Sequence, residues 1–393
     1  MIRLVAPLAI TFLALGLNAC TAQSDEPTPD PIARRASALD RANENASNSR
    51  QNAITRAIAS ASPAVVGINV TEVRTSYGFG GFGGMMMDES DPMMRDFLQR
   101  YGERFQEEVH GLGSGFIISP DGYIVTNDHV AGNASKIVVT LAGGKQYPAR
   151  IIGTDPTSDI ALLKIDGGGF PYLKLGNSDE VIVGEWAIAL GNPFGLFDIN
   201  SKPTVTVGVI SNTGLNLSPQ EGRIYREMLQ TDAAISSGNS GGPLVNASGE
   251  VIGVNATIYS TAQSRMGAGS IGIGFAIPVN RVRVVVDELK SNGKIDRAFW
   301  TGMNLQRITP RIARYLRLPS TEGLVVVEVA ENSPAARAGL QAGDVVTAIN
   351  GERVNNEDNI LAILADARPG QNVTLTMLRD GQQEKRTLTL ARR

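Results

Sequence analysis

Between residues 64 and 278 the chain is a succession of short apolar runs, each broken by Gly, Pro, Asp or Asn. Ala64–Val70, Ser114–Ile118, Tyr123–Thr126, Lys136–Leu141, Gln146–Thr154 and Ile160–Ile165 make one set. Trp186–Leu190, Thr204–Asn212, Glu227–Thr231, Pro243–Val245, Val251–Tyr259 and Ser270–Pro278 make another. Runs this short read as strands, and Ser119-Pro120-Asp121-Gly122 has the chemistry of a turn between two of them. Two sets of about six strands predict a mostly β fold built on a pair of antiparallel barrels. A helix should close it: Val282, Val285, Val286 and Leu289 fall on one helical face, with Asn280 as N-cap and Gly293 as terminator.

The remaining C-terminal stretch, 299–393, is a comfortable size for a second, α+β domain. Gly323–Val329, Asn372–Arg379 and Lys385–Ala391 read as strands, and Asp358–Ala367 as an amphipathic helix carrying Ile360, Ile363, Leu364 and Ala367. Within the first domain, 53–293, residues 77–112 form a long glycine-rich insertion loop, with a helical turn at Asp96–Tyr101. An insertion of that length is usually functional or disordered.

The N-terminus has a different character. Met1-Ile2-Arg3 is basic, Leu4–Leu17 is largely apolar, and Leu17-Asn18-Ala19-Cys20 ends the run, as in a secretory signal peptide over 1–20. The ending resembles a bacterial lipobox, which implies acylation of Cys20. Residues 21–52 are Ser-, Asn-, Ala- and Asp-rich and predict a flexible tether.

Composition removes several functions. The net charge of −3 offers no basic surplus for nucleic acid. Two histidines and one cysteine cannot supply the four ligands of a structural zinc site, and Cys20 has no partner for a disulfide.

One stretch carries chemistry. In Gly238-Asn239-Ser240-Gly241-Gly242-Pro243-Leu244 a serine sits among glycines, so another backbone can approach it and positive φ is allowed. A serine hydroxyl is a nucleophile only with a base to take its proton and donors for the oxyanion. The candidate bases are His129, just past a strand end, and His110, in a polar loop and read as exposed. Asp159, directly before the apolar strand Ile160–Ile165, is the candidate acid; Asp155 reads as a turn residue, and Asp128 is only a sequence neighbour of His129.

Thr126-Asn127-Asp128-His129-Val130, Ser158-Asp159-Ile160-Ala161-Leu162-Leu163-Lys164 and the Ser240 stretch resemble the three catalytic motifs of the HtrA (Deg) family, in the same order. Ala189–Gly195 and Gly272–Pro278 match family segments too, and the resemblance covers about Ala53–Arg393. It implies a chymotrypsin-like double-barrel serine protease followed by one PDZ domain. His129, Asp159 and Ser240 would be the triad, the N–H groups of Gly238 and Ser240 the oxyanion hole, and Ile235, Gly274 and Phe275 substrate contacts. With Ile235 in the specificity pocket, small aliphatic residues should precede the cut. Trp300-Thr301-Gly302-Met303 resembles the loop that holds a peptide carboxylate in PDZ domains, and Ser333–Gly351 resembles a PDZ core motif. The chain departs from the family at Ser236-Ser237, where most members carry Asn-Pro or Asn-Arg in a loop that switches between active and inactive arrangements.

The resemblance further implies a homotrimer, no metal or organic cofactor, unfolded or stress-marked envelope proteins as substrates, and a periplasmic location in a Gram-negative bacterium. A lipid anchor would hold the chain at a membrane, and Thr21 after the cysteine favours the outer one. A second reading is a non-catalytic chaperone or peptide sensor using the same grooves.

Overall fold

The computed structural model describes residues 49–78, 103–195, 202–256 and 272–392, together with 40, 41, 43, 47, 197, 263, 264, 267 and 268. Met1–Gln51 forms one unit and Asn52–Arg393 another, compact one. In the first, Asp40, Arg41, Asn43, Ser47, Ser49 and Arg50 are helical and exposed, where the composition predicts a coil-like tether. The Ala, Leu, Arg and Glu residues scattered over 36–44 are good helix formers and account for the difference. The leader, with Cys20, lies outside the described residues.

The second unit opens with a helix, Ala53–Ala61. Asn52 caps it by accepting the Thr55 N–H at 2.9 Å, and Ala57 and Ala61 are buried beneath it. The strands β1 (Val65–Gly78), β2 (Glu103–Ile117), β3 (Tyr123–Thr126), β4 (Lys136–Leu141), β5 (Gln146–Asp155) and β6 (Ile160–Ile165) close into a barrel in the order β1-β2-β3-β6-β5-β4. The next set is β7 (Trp186–Gly191), β8 (Thr204–Leu215), β9 (Met228–Thr231), β10 (Pro243–Val245) and β11 (Val251–Ala256). A two-stranded ribbon, β12 (Gln263–Ser264) and β13 (Gly267–Ala268), follows, and β14 (Gly274–Pro278) completes a second closed barrel. Its order, β10-β11-β14-β9-β8-β7, repeats the connectivity of the first.

The period of two along each strand splits the apolar residues between cores. In β6, Ala161, Leu163 and Ile165 fill the first barrel, while Ile160 and Leu162 face the layer shared with the second barrel. Ala187, Ala189, Ile210, Leu229, Leu244 and Ile252 fill the second barrel. The helix Val279–Asn292 packs Val282, Val285, Val286 and Leu289 into the shared layer and ends at Gly293, which is left-handed with φ 71°.

Two expectations change. The stretch 77–112 is not all loop: β1 and β2 pair from Val65↔Phe116 out to Gly78↔Glu103, so 103–112 is strand and only 79–102, with the proposed Asp96–Tyr101 turn, lies outside the described residues. Residues 106–112 show no apolar alternation and none of them is buried, so the pattern that marks a core strand is missing there. Asn280 is not the N-cap: the helix begins at Val279 after Pro278, and Asn280 instead donates to Asn177 Oδ1 at 2.7 Å.

The C-terminal domain begins at β15 (Phe299–Trp300) and β16 (Met303–Arg307), followed by β17 (Leu324–Val329), β18 (Val345–Ile349), β19 (Glu352–Arg353), the helix Glu357–Leu364, and β20 (Asn372–Arg379), β21 (Gln382–Thr389) and β22 (Ala391–Arg392). The sheet order is β16-β17-β18-β20-β21, and β15 pairs with β22. Arginines fasten this domain to the barrels. Arg226 donates to Ile363 O at 3.1 Å and pairs with Glu352 at 2.6 Å. Arg281 pairs with Asp366 at 3.2 Å, and Arg368 reaches Glu288 at 3.0 Å. Arg297 bridges Asp155 on the first barrel and Ala365 O. The carbonyls at the end of the helix Glu357–Leu364, which have no partner within it, are thereby capped by cations.

Candidate active site

Directly after β3 the chain makes one helical turn, Asp128–Ala131, with His129 as its second residue. Asp159 lies between β5 and β6, fully buried, with φ 58°. Aspartate tolerates this left-handed conformation better than most residues. Before it, Ser158 donates its N–H to Asp155 Oδ2 at 3.2 Å, and its hydroxyl to the same oxygen.

The Asp159 carboxylate receives the His129 backbone N–H at 3.0 Å on Oδ1. The His129 ring Nδ1 stands 2.9 Å from Oδ1 and 2.8 Å from Oδ2. Opposite an ionised carboxylate Nδ1 carries the proton, which leaves a lone pair on Nε2. Asn127 fixes the loop from behind, donating Nδ2–H to Asp159 O at 2.9 Å. His129 is 32% exposed at its side chain and Asp159 not at all, so the imidazole faces the cleft and its partner faces the protein.

Ser240 follows a 3₁₀ turn over Ser237–Asn239, closed by Asn239 N–H on Ser236 O at 2.8 Å. Its carbonyl accepts Ser114 N–H at 3.0 Å, and Gly241 N–H donates to Asn255 O at 2.9 Å. Gly241 has φ 82°; a Cβ there would press on Thr126 Oγ1 and stand 3.0 Å from Asn127 N. The absence of that atom lets the serine turn of the second barrel lie against the segment of the first that leads into His129. Ile235 is buried, and a Cβ on Gly274 would meet its Cδ1 at 2.9 Å; Phe275 follows in β14. The three residues read as substrate contacts are therefore grouped.

The competing residues have other partners. His110 lies opposite Thr71 in the ribbon, with Nδ1 at 3.4 Å from its hydroxyl. Asp155 is buried and held by Arg297. Burial pushes its carboxyl up, but the Arg297 hydrogen bonds and charge, and Ser158, keep it below the ordinary value. Asp128 is raised, by burial first and then by the charge of Asp159.

Arg223 and Tyr225 are site neighbours that the motifs do not reveal. Arg223 Nε stands 3.4 Å from Asp159 Oδ1, and its Nη1 meets Glu221 at 2.7 Å. Tyr225 is buried; burial and the negative charge of Asp159 both push its pKa up. The loop is tied in place by Ile224 N–H on Thr157 O at 2.8 Å. The sequence over 221–227 carries no motif, and this backbone link together with the Arg223–Asp159 ion pair brings it to the acid.

In the C-terminal domain, Trp300, Thr301, Gly302 and Met303 span the β15–β16 connection. Gly302 has φ 75°, and its α-carbon faces Ser333 so closely that any Cβ would collide with it. A groove of about 250 Å³ runs between β16 and the helix Glu357–Leu364, lined by Thr301, Met303, Leu305, Ile360, Leu361 and Leu364.

The trypsin-like peptidase domain family matches residues 113–254, and the PDZ domain family matches 269–390. A "Probable periplasmic serine endoprotease DegP-like" of Ectopseudomonas mendocina is 39% identical over 345 residues, 86% of this chain and 70% of that one. The HtrA-type protease AlgW, solved with a decapeptide, is 36% identical with a TM-score of 0.62, over 86% of this chain and 98% of that one. The serine endoprotease from Yersinia pestis is 30% identical with a TM-score of 0.55, over 86% and 97%. Two closed barrels, a PDZ domain and these relatives together establish that the chain belongs to the DegP-like, HtrA-type serine endoproteases.

Proposed function

We propose that Ser240, His129 and Asp159 are the catalytic triad of this endoprotease. The observation that carries the assignment is the His129 Nδ1–Asp159 carboxylate pair at 2.8–2.9 Å. It leaves the other ring nitrogen to act as base toward the serine turn packed beside it. Ser240 Oγ attacks the scissile carbonyl, His129 takes its proton and later gives it to the leaving amine, and Asp159 stabilises the imidazolium between those steps. The N–H groups of Gly238 and Ser240 receive the oxyanion, at about 3 kcal/mol per donor. A 3₁₀ turn directs N–H groups to carbonyls three residues back. In this reading the turn over Ser237–Asn239 is a resting arrangement, and Ser236-Ser237 unwinds before both donors face the substrate.

Ile235 beside Gly274 offers no charge to a Lys or Arg side chain, and in this reading small aliphatic side chains such as Val precede the cut. Peptide C-termini add to β16 as an extra strand, with the N–H groups of the Thr301–Met303 loop on the carboxylate. Unfolded or stress-marked periplasmic proteins are the substrates, cut by a trimer tethered to the membrane through acylated Cys20.

Cleavage of unfolded casein by the full chain, beside Ser240→Ala, tests the triad. The wild type should cut and the variant should not; equal cleavage by both ends the assignment. Fatty-acid labelling lost in Cys20→Ser tests the anchor, and light scattering of the purified protein tests the trimer.

A further inference from the structure

Ser114 belongs to the first barrel, near the end of β2, and is fully buried. Each of its hydrogen-bonding groups is engaged. Its carbonyl accepts the Thr126 hydroxyl at 2.7 Å, and its N–H donates to Ser240 O at 3.0 Å. Its own hydroxyl donates to Gly238 O at 2.6 Å while accepting Asn192 N–H at 2.7 Å. Three of these partners, Ser240, Gly238 and Asn192, come from the second barrel's side of the cleft.

The consequence lies in which peptide planes are fixed. The carbonyl of Gly238 belongs to the plane joining Gly238 to Asn239, and the carbonyl of Ser240 to the plane joining Ser240 to Gly241. Between them lies one plane, Asn239–Ser240, and its N–H is the Ser240 oxyanion donor. Ser114 therefore grips the chain on both sides of that donor, and Gly241 N–H on Asn255 O reinforces the second grip. A hydroxyl is suited to the position because it donates and accepts at once.

We propose that Ser114 is a positioning residue for the oxyanion hole: through its hydroxyl on Gly238 and its amide on Ser240 it holds the serine turn in the register that aims the donors. It limits the rearrangement of Ser236-Ser237 to the planes before Gly238. The inference rests on Ser240 being the nucleophile.

Removing the hydroxyl leaves the Gly238 carbonyl and the Asn192 N–H short of a partner in a buried seam, and the turn is free to shift. Interactions made only in the transition state appear in kcat rather than in KM. For Ser114→Ala in the full chain, kcat on a valine-containing peptide substrate should fall about ten- to hundredfold, as for the loss of a buried partner. KM should stay within about twofold, the pattern of a lost transition-state contact. Affinity for a peptidyl boronate ending in valine, whose oxygen occupies the oxyanion position, should fall in parallel with kcat. Ser114→Cys, close in shape and a weak donor, should fall between the two and is read by the same criteria if the alanine variant does not fold. Wild-type kcat, or equal losses for the boronate and for ground-state peptide, would overturn the proposal. Ser240→Ala run alongside separates its failure from that of the triad: an active Ser240→Ala refutes the triad, whereas an inactive one beside a fully active Ser114→Ala refutes only the role of Ser114.

Discussion

Arg223 Nε stands 3.4 Å from Asp159 Oδ1, so Asp159 has a cation as well as an imidazole at its carboxylate. Asp128 and Asp159 are both buried, and Arg223 is the charge that offsets their mutual repulsion. For Arg223→Gln, kcat should fall about tenfold, as for loss of one nearby charge in a partly buried site. Removing a cation makes its neighbours easier to protonate. The acid limb of the activity profile should therefore move to higher pH, with more activity lost at pH 6 than at pH 8. An unchanged profile would assign Arg223 to the loop alone.

Asp128 gives the opposite sign. Burial and the Asp159 charge raise its pKa in the folded chain, so its ionised form costs stability once the pH exceeds the ordinary value of 3.8. Asp128→Asn removes the charge and keeps the shape of the side chain. Its melting temperature should exceed the parent's at pH 7, and the difference should shrink as the pH approaches 4. Scanning calorimetry across that range reads this directly.

Asp155 is held below 3.8 by Arg297 and Ser158 despite its burial. The stabilisation from this group is complete above the ordinary carboxylate value and is lost as the pH falls through the lowered folded one. Arg297→Ala leaves a buried, unpaired carboxylate and should cost about 3–5 kcal/mol. The loss should be largest at neutral pH and smaller in strong acid, where Asp155 is protonated in both proteins. Denaturant unfolding at pH 7 and at successively lower pH should show the cost shrink as Asp155 protonates.

Gly302→Ala forces a side chain into a left-handed position against Ser333. Strain of that kind costs about 1–3 kcal/mol. Calorimetric titration with a peptide of apolar C-terminus should show binding lost or weakened at least tenfold. Intact binding would place the carboxylate somewhere other than the Thr301–Met303 loop.

The strands were legible where their composition was uniform. Lys136–Leu141, Ile160–Ile165, Pro243–Val245 and Asn372–Arg379 run between the residues that the apolar pattern indicates. Ile160–Ile165 and Pro243–Val245 are buried almost throughout, and Asn372–Arg379 alternates buried with more exposed side chains, so each pattern is complete. The outer half of β2 was not legible, because 103–112 pairs only with β1 and none of 106–112 is buried, so nothing there imposes alternation. His129 and Asp159 announced themselves by lying at strand ends. Arg223, Tyr225 and Ser114 did not. Their positions depend on loop crossings such as Ile224 N–H on Thr157 O, which join residues far apart in the chain and leave no periodicity. The same holds for Arg297, whose partner Asp155 is separated from it by 142 positions.

The glycines around Ser240 set a limit on engineering. At Gly191 a Cβ would fall 2.6 Å from Asn239 Oδ1, and at Gly238 it would run into Pro193. At Gly242 it would collide with Leu190 O, and at Gly241 with Ser114 and Thr126. No library that varies these four positions has room for a side chain, whatever its polarity. If Ile235 has the specificity role proposed for it, a search for new cleavage preference starts there, outside these four positions.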